Sequence, residues 1–227
     1  MDEGDDRKPA RPYRSAVRQE SARRTRQAVV RAATDLFVAN GYGPTSLAQV
    51  AAAAGVARPT VFAAFGSKAA LLRQVLDEAL AGDDEPVPVA QRPWFRPVWE
   101  AQAPGAVLHG YAKVCTLIGG RAARVFEVVR RAADETPELT EIWGTLLSNR
   151  RAGARMIVER LVTLGATLRQ GAEPERAIDE LWFYNDPAHY GALVLHCGWT
   201  EESFQAWLAE RMCEVLLAGA LDSRPSR

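Results

Sequence analysis

Apolar residues recur every three or four positions along most of the chain, which is the spacing that places them on one face of an α-helix. The first such stripe lies between Thr25 and Asn40 and contains Val29, Val30, Ala33, Leu36 and Phe37. No segment shows the sustained alternation of apolar and polar residues that is typical of a half-buried strand. The pattern therefore predicts an all-α fold.

Signals at helix ends divide the N-terminal part into four helices. Asn40-Gly41 ends the first, because both residues tolerate the left-handed conformation of a C-terminal cap. Ser46 begins the second as the N-cap of a capping box with the residue three positions later, and Gly55 ends it. Pro59 lies in the first turn of a third, short helix, where its missing N–H has no intrahelical partner. A fourth helix follows Ser67 as N-cap.

Residues 82–105 interrupt the helical pattern with three consecutive carboxylates and five prolines, and we place a domain boundary there. The predicted organisation is a flexible basic arm, a helical domain, a linker or loop, a second helical domain and a tail, over residues 1–22, 23–82, 83–105, 106–220 and 221–227. The second domain is predicted to contain helices near 106–118, 121–134, 138–170, 174–185, 187–197 and 201–218. Gly119-Gly120 is interpreted as the break between the first two of these.

The charge of the chain is strongly divided, although its formal net charge is zero. Residues 7–76 contain twelve arginines and lysines against two carboxylates, so this segment has a net charge of +10. A basic segment in an otherwise neutral protein is typical of a surface that binds a polyanion such as DNA. A solvated charged tail would explain residues 7–18 equally well.

The composition narrows the class of protein further. With 48% hydrophobic residues, the chain can bury a substantial core. No run approaches the roughly 20 apolar residues that span a bilayer, and the acidic start of the chain is unlike a signal peptide, so we expect a cytoplasmic protein with no membrane partner. Three widely spaced cysteines fit neither a disulfide framework nor a paired metal site, and we interpret them as reduced thiols.

Two short helices joined by a turn at Gly55, behind a helix that completes a small core, have the arrangement of a helix-turn-helix. Residues 26–72 resemble the DNA-binding domain of the TetR family of transcriptional repressors. The matching residues are Ala32-Ala33, Leu36-Phe37, Gly41-Tyr42, Thr45-Ser46, Val50-Ala51, Ala54-Gly55-Val56, Thr60-Val61-Phe62, Phe65, Ser67-Lys68 and Leu71-Leu72. The C-terminal two thirds resembles the family more loosely, chiefly within residues 177–181, 190–194 and 198–208.

The resemblance implies that the second helix of the motif enters the major groove with its N-terminal residues at base edges. Arg58 is the best candidate for base reading, because a guanidinium can donate two hydrogen bonds to a guanine. Thr45 and Lys68 resemble the family's phosphate contacts. The expected DNA-binding residues are Thr45, Ser46, Ala57, Arg58, Pro59, Thr60, Phe62 and Lys68, together with Arg23, Arg24 and Arg26 of the arm.

The chain departs from the family pattern within the predicted recognition helix. Phe62, Ala63 and Ala64 stand where family members often have a tyrosine and a histidine flanking one residue, so two polar phosphate contacts are lost. Ala57 replaces a frequent capping serine, which weakens the helix start by about 1 kcal/mol. We expect the arginines of the arm to compensate at phosphates or in an adjacent minor groove.

For the C-terminal part, the resemblance implies a helical domain that binds a small effector and forms a homodimer through its last two main helices. Its aromatic composition favours a hydrophobic or aromatic effector. The candidate pocket residues are Tyr111, Phe126, Trp143, Trp182 and Phe183. The candidate dimer anchors, which could equally serve the monomer core, are Leu181, Leu193, Leu195, Trp207, Leu208, Val215 and Leu216.

The sequence leaves other classes of function open. A helical enzyme could use Cys115 with His109, or Cys197 with His196 and His189, although no nucleophile motif accompanies either set. A thiol sensor could use Cys197 with Cys213, and a metal sensor His189 with His196, whose spacing of about 10 Å requires a third element. Activation of transcription is also compatible with the sequence. We expect no cofactor and no metal, and double-stranded DNA as the main partner.

Overall fold

The computed structural model describes residues 12–169 and 173–218, with side chains from residue 18 onward. Helices account for most of these residues, which confirms the predicted all-α fold. Within the described ranges no strand forms, and an isolated bridge joins Leu168 to Leu217. The chain divides into two compact units that meet in sequence between Val75 and Leu76.

The first unit is a small helical domain with one apolar core. Its helices are α1 (Pro12–Asn40), α2 (Leu47–Ala53), α3 (Arg58–Phe65) and the first half of α4 (Lys68–Ala81). Their apolar stripes meet in a core made of Val29, Val30, Ala33, Phe37, Val50, Val61, Phe65, Leu71, Leu72 and Val75. The predicted stripes therefore identify the buried faces of this unit.

The predicted helix ends are also confirmed. The Ser46 side chain accepts a hydrogen bond from the Gln49 backbone N–H, and the Gln49 side chain accepts one from the Ser46 N–H, which completes the capping box. Gly41 and Gly55 have φ angles of +85° and +68°, a region that residues with a Cβ rarely adopt. These two glycines therefore fix the turns before and after α2.

The arm predicted over residues 1–22 is wrong for its second half, because α1 already begins at Pro12. Proline is well tolerated in the first turn of a helix, and the residues that follow are mostly strong helix formers such as arginine, alanine, glutamate and glutamine. Residues 1–11 of the predicted arm lie outside the described residues.

Over residues 76–169 and 173–218, the second unit contains the second half of α4 and six further α-helices. These are α5 (Arg96–Glu100), α6 (Pro104–Ala132), α7 (Pro137–Thr163), α8 (Pro174–Tyr184), α9 (Pro187–Tyr190) and α10 (Glu201–Leu216). Helix α6 packs against α7, α9 and α10, and α8 packs against α7 and α10. The largest buried side chains of this core are Phe126, Phe204, Leu108, Leu139, Ile157, Leu161, Ile178, Leu181 and Leu208.

The segment predicted as a linker or loop, residues 83–105, is an ordered part of the second unit. It forms two short 3₁₀ turns before α5, and Phe95 and Val98 are buried in the core of the unit. The buried Arg92 guanidinium donates to both carboxylate oxygens of Asp83 at 2.6 Å. The prolines and carboxylates thus shape a folded segment, and apolar burial holds it in place.

The break predicted at Gly119-Gly120 does not exist, because α6 is continuous from Pro104 to Ala132. These glycines allow a close approach instead. A Cβ at Gly119 would lie 2.7 Å from three side-chain atoms of Tyr190 in α9. The absence of a side chain at Gly119 therefore lets the Tyr190 ring pack directly on α6.

Two other predicted segments differ from the observed helices. The helix predicted over 138–170 ends at Thr163, followed by Gly165 at a φ of +76°. The segment predicted over 187–197 is a single α-helical turn, α9, continued by a π-helix from Gly191 to His196. Periodicity alone does not separate a π-helix from an α-helix over so few residues.

Within the described ranges no single helix is long and apolar enough to cross a bilayer, and only the bent α2–α3 pair reaches that threshold when its two members are combined.

Candidate DNA-binding interface and effector site

Helix α3 has one buried edge and one exposed face. Val61 and Phe65, four residues apart, are buried in the core of the first unit. The predicted base-contacting residues lie on the exposed part of the helix and at its start: Ala57, Arg58, Pro59, Thr60 and Phe62. Phe62 is 61% exposed, so it is a surface residue rather than a core residue. An outward row of this kind is what a recognition helix presents to a groove.

The relation of α2 to α3 fits the same motif. The two helices are joined by a short turn and bend by 111°, within the range of about 90–120° that is typical of a helix-turn-helix. Ala57 at the start of α3 makes no side-chain capping bond, as expected from the sequence. Ser46 is exposed at the N-terminus of α2, although its hydroxyl and N–H are engaged in the capping box.

Thr45 does not have the position that a phosphate contact requires, which corrects the expectation from the sequence. The side chain is 1% exposed. Its hydroxyl donates to the carbonyl oxygens of Gly41 at 2.8 Å and Leu36 at 3.2 Å. Thr45 therefore satisfies backbone acceptors at the C-terminal end of α1 and stabilises the turn before α2.

Lys68 at the start of α4 forms hydrogen bonds with the same turn between α1 and α2. Its Nζ donates to the carbonyl oxygens of Tyr42 at 2.9 Å and Gly43 at 3.3 Å, and it lies 4.0 Å from the centroid of the Tyr42 ring. The ammonium thus holds the α1–α2 turn against the start of α4. The phosphate contact that the sequence predicts for Lys68 would have to form in addition to these structural contacts.

The three arginines expected to compensate for lost phosphate contacts have different surroundings. Arg26 is half-buried and donates to Ala64 O at 2.9 Å and Gln74 Oε1 at 2.8 Å, with its guanidinium 4.4 Å from the Phe65 centroid. It therefore connects α1 to the end of α3 and to α4. Arg23 and Arg24 are exposed, and Arg24 forms an ion pair with Glu20 across one helical turn.

Comparison with known proteins agrees with this geometry. Residues 29–75 match the family model described as bacterial regulatory proteins of the tetR family. This range covers the end of α1, the helix-turn-helix and the start of α4. Residues 29–75 are therefore similar to a TetR-family DNA-binding domain. No curated protein matches the sequence of the chain.

The TetR-type fold extends over nearly the whole chain. NalD, the secondary repressor of the MexAB-OprM multidrug efflux pump in Pseudomonas aeruginosa, superposes with a TM-score of 0.67 at 20% identity, over 88% of this chain and 98% of NalD. SmeT in its triclosan complex gives 0.65 at 19% identity, over 86% and 93%. A transcriptional regulator from Rhodococcus sp. Rha1 gives 0.59 at 17% identity, over 84% and 95%.

In the second unit, four of the five predicted pocket residues contact one arginine directly or through one further residue. The Arg150 guanidinium lies 5.6 Å from the centroid of Phe126 and 5.4 Å from that of Trp182. Trp143 packs edge-on against Phe126 at 5.0 Å. Tyr111 is joined to the arginine through Asn185, whose side chain bonds both residues.

Phe183, the fifth predicted pocket residue, lies elsewhere, and this prediction is corrected. Its ring is 58% exposed and lines a surface groove of about 450 Å³ with Arg176, Asp179, Glu180, Tyr184 and Val215. Consecutive residues of a helix point about 100° apart, so Trp182 and Phe183 face different sides of α8.

Sequence reasoning missed Arg150, although a signal for it was present. In α7 the residues Leu146, Ala154 and Val158 are buried and continue one helical row at intervals of four. Arg150 occupies the remaining position of this row. A charged residue inside an apolar stripe is an indication of a buried polar site.

The predicted dimer anchors divide into two groups. Leu181, Leu208 and Leu216 are at most 1% exposed within the single chain, so they belong to the monomer core and cannot be interface anchors. Leu193, Trp207 and Val215 are half-buried, and Leu195 is exposed. Trp207 also contacts the exposed Trp199 at 6.2 Å and Tyr184 at 6.4 Å. The accessible apolar surface between α8 and α10 is therefore aromatic.

The cysteine and histidine pairs considered for catalysis or sensing are not assembled in the described residues. The His109 Nδ1 atom lies 2.8 Å from Gly105 O and 4.0 Å from Cys213 Sγ, and no contact with Cys115 accompanies these. Burial raises the pKa of the Cys115 thiol to about 12, so it is protonated at neutral pH. Within residues 12–169 and 173–218, no three side chains of the metal-binding types form a cluster.

Proposed function

We propose that this TetR-type regulator is a cytoplasmic repressor that binds a palindromic operator as a homodimer and is released by a small aromatic effector. The observation that carries the DNA-binding part is the outward row on α3, with Arg58, Thr60 and Phe62 exposed on a helix-turn-helix. One such helix buries too little surface for specific binding. A two-fold dimer doubles the contacts on a palindrome.

The aromatic surface between α8 and α10 supports homodimerisation. Phe183 and Trp199 are 58% and 37% exposed, and the half-buried Tyr184 and Trp207 connect them through ring contacts. Exposed aromatic patches on helices are typical of protein interfaces. The likeness of the fold to NalD, a repressor, and to SmeT, which binds triclosan in its complex, supports repression and an aromatic effector.

The test is selection of the purified full chain on a random double-stranded DNA pool, combined with its mass in solution. We expect enrichment of a palindrome with half-sites about one helical turn apart or a multiple of it, and the mass of a dimer. A monomer, or a pool without enrichment at low salt, would contradict the proposal. A reporter gene under the enriched site then separates repression from activation.

Arg58→Ala tests the assigned base reader, and Arg31→Ala is its control. Both arginines are exposed in the first unit, so the two variants lose the same charge. We expect Arg58→Ala to relax the preference at one guanine position by about 1–3 kcal/mol. Arg31→Ala should lower affinity evenly or leave it unchanged. Equal loss of sequence preference in both variants would refute the assignment of Arg58.

A further inference from the structure

The Arg150 side chain is a buried charge in an otherwise apolar region of the second unit. It is 10% exposed, and its row on α7 is continued by Leu146 and Ala154, both buried. Burial lowers the pKa of its guanidinium. A buried arginine needs hydrogen bonds and a negative partner to offset its loss of hydration.

The guanidinium of Arg150 has three partners on α8 and in the residues that follow it. Its Nε donates to Asn185 Oδ1 at 3.2 Å, and its Nη2 donates to Trp182 O at 2.8 Å. Its Nη1 forms an ion pair with Asp186, whose Oδ2 lies 2.9 Å away. This carboxylate is the negative partner of the buried charge.

Asp186 cannot serve Arg150 alone, because it has a second structural role. Its Oδ1 accepts the Ala188 N–H at 2.8 Å and thereby caps α9. Its side chain is 28% exposed, so the carboxylate retains contact with solvent. Asp186 is therefore a partial counter-ion that another anion could replace at Arg150 without exposing an unpaired carboxylate.

A buried donor without an acceptor lies beside this ion pair. The Trp182 Nε1 atom is buried and has no hydrogen-bond partner, and the guanidinium of Arg150 lies over the same indole, 5.4 Å from the ring centroid. An orphaned buried N–H group is rare in folded proteins and costs about 1–3 kcal/mol. Together with the neighbouring buried cation, it indicates a place for a ligand that supplies acceptor oxygens.

The other polar groups near this pair are neutral. Burial raises the pKa of the Tyr111 hydroxyl, and it raises the pKa of the Cys115 thiol to about 12. The remaining surroundings are aromatic, with Phe126 under the guanidinium and Trp143 edge-on to Phe126. The site thus combines one positive charge and one unpaired donor with aromatic neighbours.

We propose that the effector is an aromatic carboxylate whose oxygens take the place of Asp186 at Arg150 Nη1 and accept the free N–H group of Trp182 Nε1. Its ring packs against Phe126 and Trp143, and Asp186 keeps its cap on α9. This inference rests on the proposed function only in that it calls the bound ligand an effector. The binding site itself is testable without DNA.

The experiment compares benzoate, 1-naphthoate and 2-naphthoate with their primary amides, which have nearly the same shape but no charge. Binding to the full chain is measured by titration calorimetry and by quenching of tryptophan fluorescence. We expect at least one carboxylate to bind at least about tenfold more tightly than its amide, because hydrogen bonds to a charged group are involved. Equal or tighter binding of every amide, or no binding of any carboxylate, overturns the inference.

The neighbouring Arg151 provides a matched control. It is exposed and pairs with Glu175 and Asp179, so Arg151→Gln removes the same charge one residue away. We expect Arg150→Gln to lose carboxylate binding by about tenfold or more and Arg151→Gln to keep it. Trp182→Phe, which removes one N–H and keeps a ring, should weaken the carboxylate more than the amide. Retained binding in Arg150→Gln overturns the inference.

Asp186→Asn covers the case in which Arg150→Gln does not fold. Asparagine still caps α9 but removes the competing charge, so the variant should bind the carboxylate several-fold more tightly than the wild type. Weaker or unchanged binding overturns the inference. In the wild type the bound carboxylate should also release selected DNA. Carboxylate binding without DNA binding contradicts the proposed function alone, and specific DNA binding without carboxylate binding contradicts this inference alone.

Discussion

A methyl group added at Gly119 in α6 would collide with Tyr190. Gly119→Ala therefore tests whether the close packing of Tyr190 on α6 needs a glycine at this position. The new Cβ would lie 2.7 Å from the Cβ, Cγ and Cδ2 atoms of Tyr190, whereas carbon atoms in contact are about 3.5–4.0 Å apart. Tyr190 is held in place, because its hydroxyl donates to Glu201 Oε1 at 2.5 Å and its ring packs edge-on against Phe204. Relief therefore requires α6 and α9 to move apart.

The magnitude follows from two opposing effects. Overpacking of a core by one methyl group costs about 1–3 kcal/mol, while alanine in place of glycine inside a helix gains about 1 kcal/mol. We expect the free energy of unfolding of Gly119→Ala to fall by up to about 2 kcal/mol. Gly144→Ala in α7 has the same helical gain and no atom within 4 Å of its Cβ, so it should become more stable.

The assay is urea unfolding followed by circular dichroism, at one protomer concentration for all variants because the stability of a dimer depends on concentration. The difference between Gly119→Ala and Gly144→Ala cancels the helix propensity and leaves the packing cost of about 1–3 kcal/mol. If Gly119→Ala were as stable as Gly144→Ala, Tyr190 would have room to move. The close approach of Tyr190 would then not explain why a glycine lies within the continuous helix α6.

Three further predictions concern the first unit and a surface ion pair. Phe62→Ala should weaken DNA binding and change unfolding by less than about 0.5 kcal/mol, because the ring is 61% exposed; gel shift and urea unfolding measure the two effects. Thr45→Val should lower the free energy of unfolding by about 0.5–1.5 kcal/mol, since the Leu36 and Gly41 carbonyls lose their side-chain donor, whereas Thr45→Ser should retain most of it. Hydrogen bonds from Arg130 and Arg131 lower the pKa of Glu127 to about 2. Its stabilisation is therefore complete above the unfolded pKa of about 4.5 and lost as the pH falls towards 2, so the difference between wild type and Glu127→Gln should shrink over that range.

Local signals were sufficient to predict the helix ends of the first unit from Asn40 onward, although not the start of α1. The capping box at Ser46, the glycine turns at Gly41 and Gly55 and the apolar stripes are all properties of neighbouring residues, and each is found in the structure. Thr45 was assigned to the wrong role, because a hydroxyl at a helix start fits a phosphate contact and a backbone contact equally well. The Thr45 side chain is only 1% exposed, and this burial decides in favour of the backbone contact.

The second unit was harder to predict because its decisive contacts are distant in sequence. From the sequence alone, Gly119 indicates a helix break. Its role becomes clear only from the packing of Tyr190, which lies 71 residues later in the chain. Leu181 and Leu208 have the spacing of an interface as much as of a core, and their near-zero exposure shows that they are core. Arg150 was detectable as a charge within an apolar row. Its partners lie on α8 and in the residues that follow it, so they could not be inferred from α7 alone.

The composition of α3 restricts how this domain can read DNA. Its exposed face offers one charged side chain, Arg58, one hydroxyl, Thr60, and one apolar ring, Phe62. An arginine discriminates guanine and an apolar group contacts the thymine methyl, so specificity is expected to rest on few base pairs in each half-site. Ala63 and Ala64, which follow Phe62, have no side-chain donor for a phosphate. We therefore expect phosphate contacts to come largely from outside α3, with the net charge of +10 over residues 7–76 supplying them without adding sequence preference.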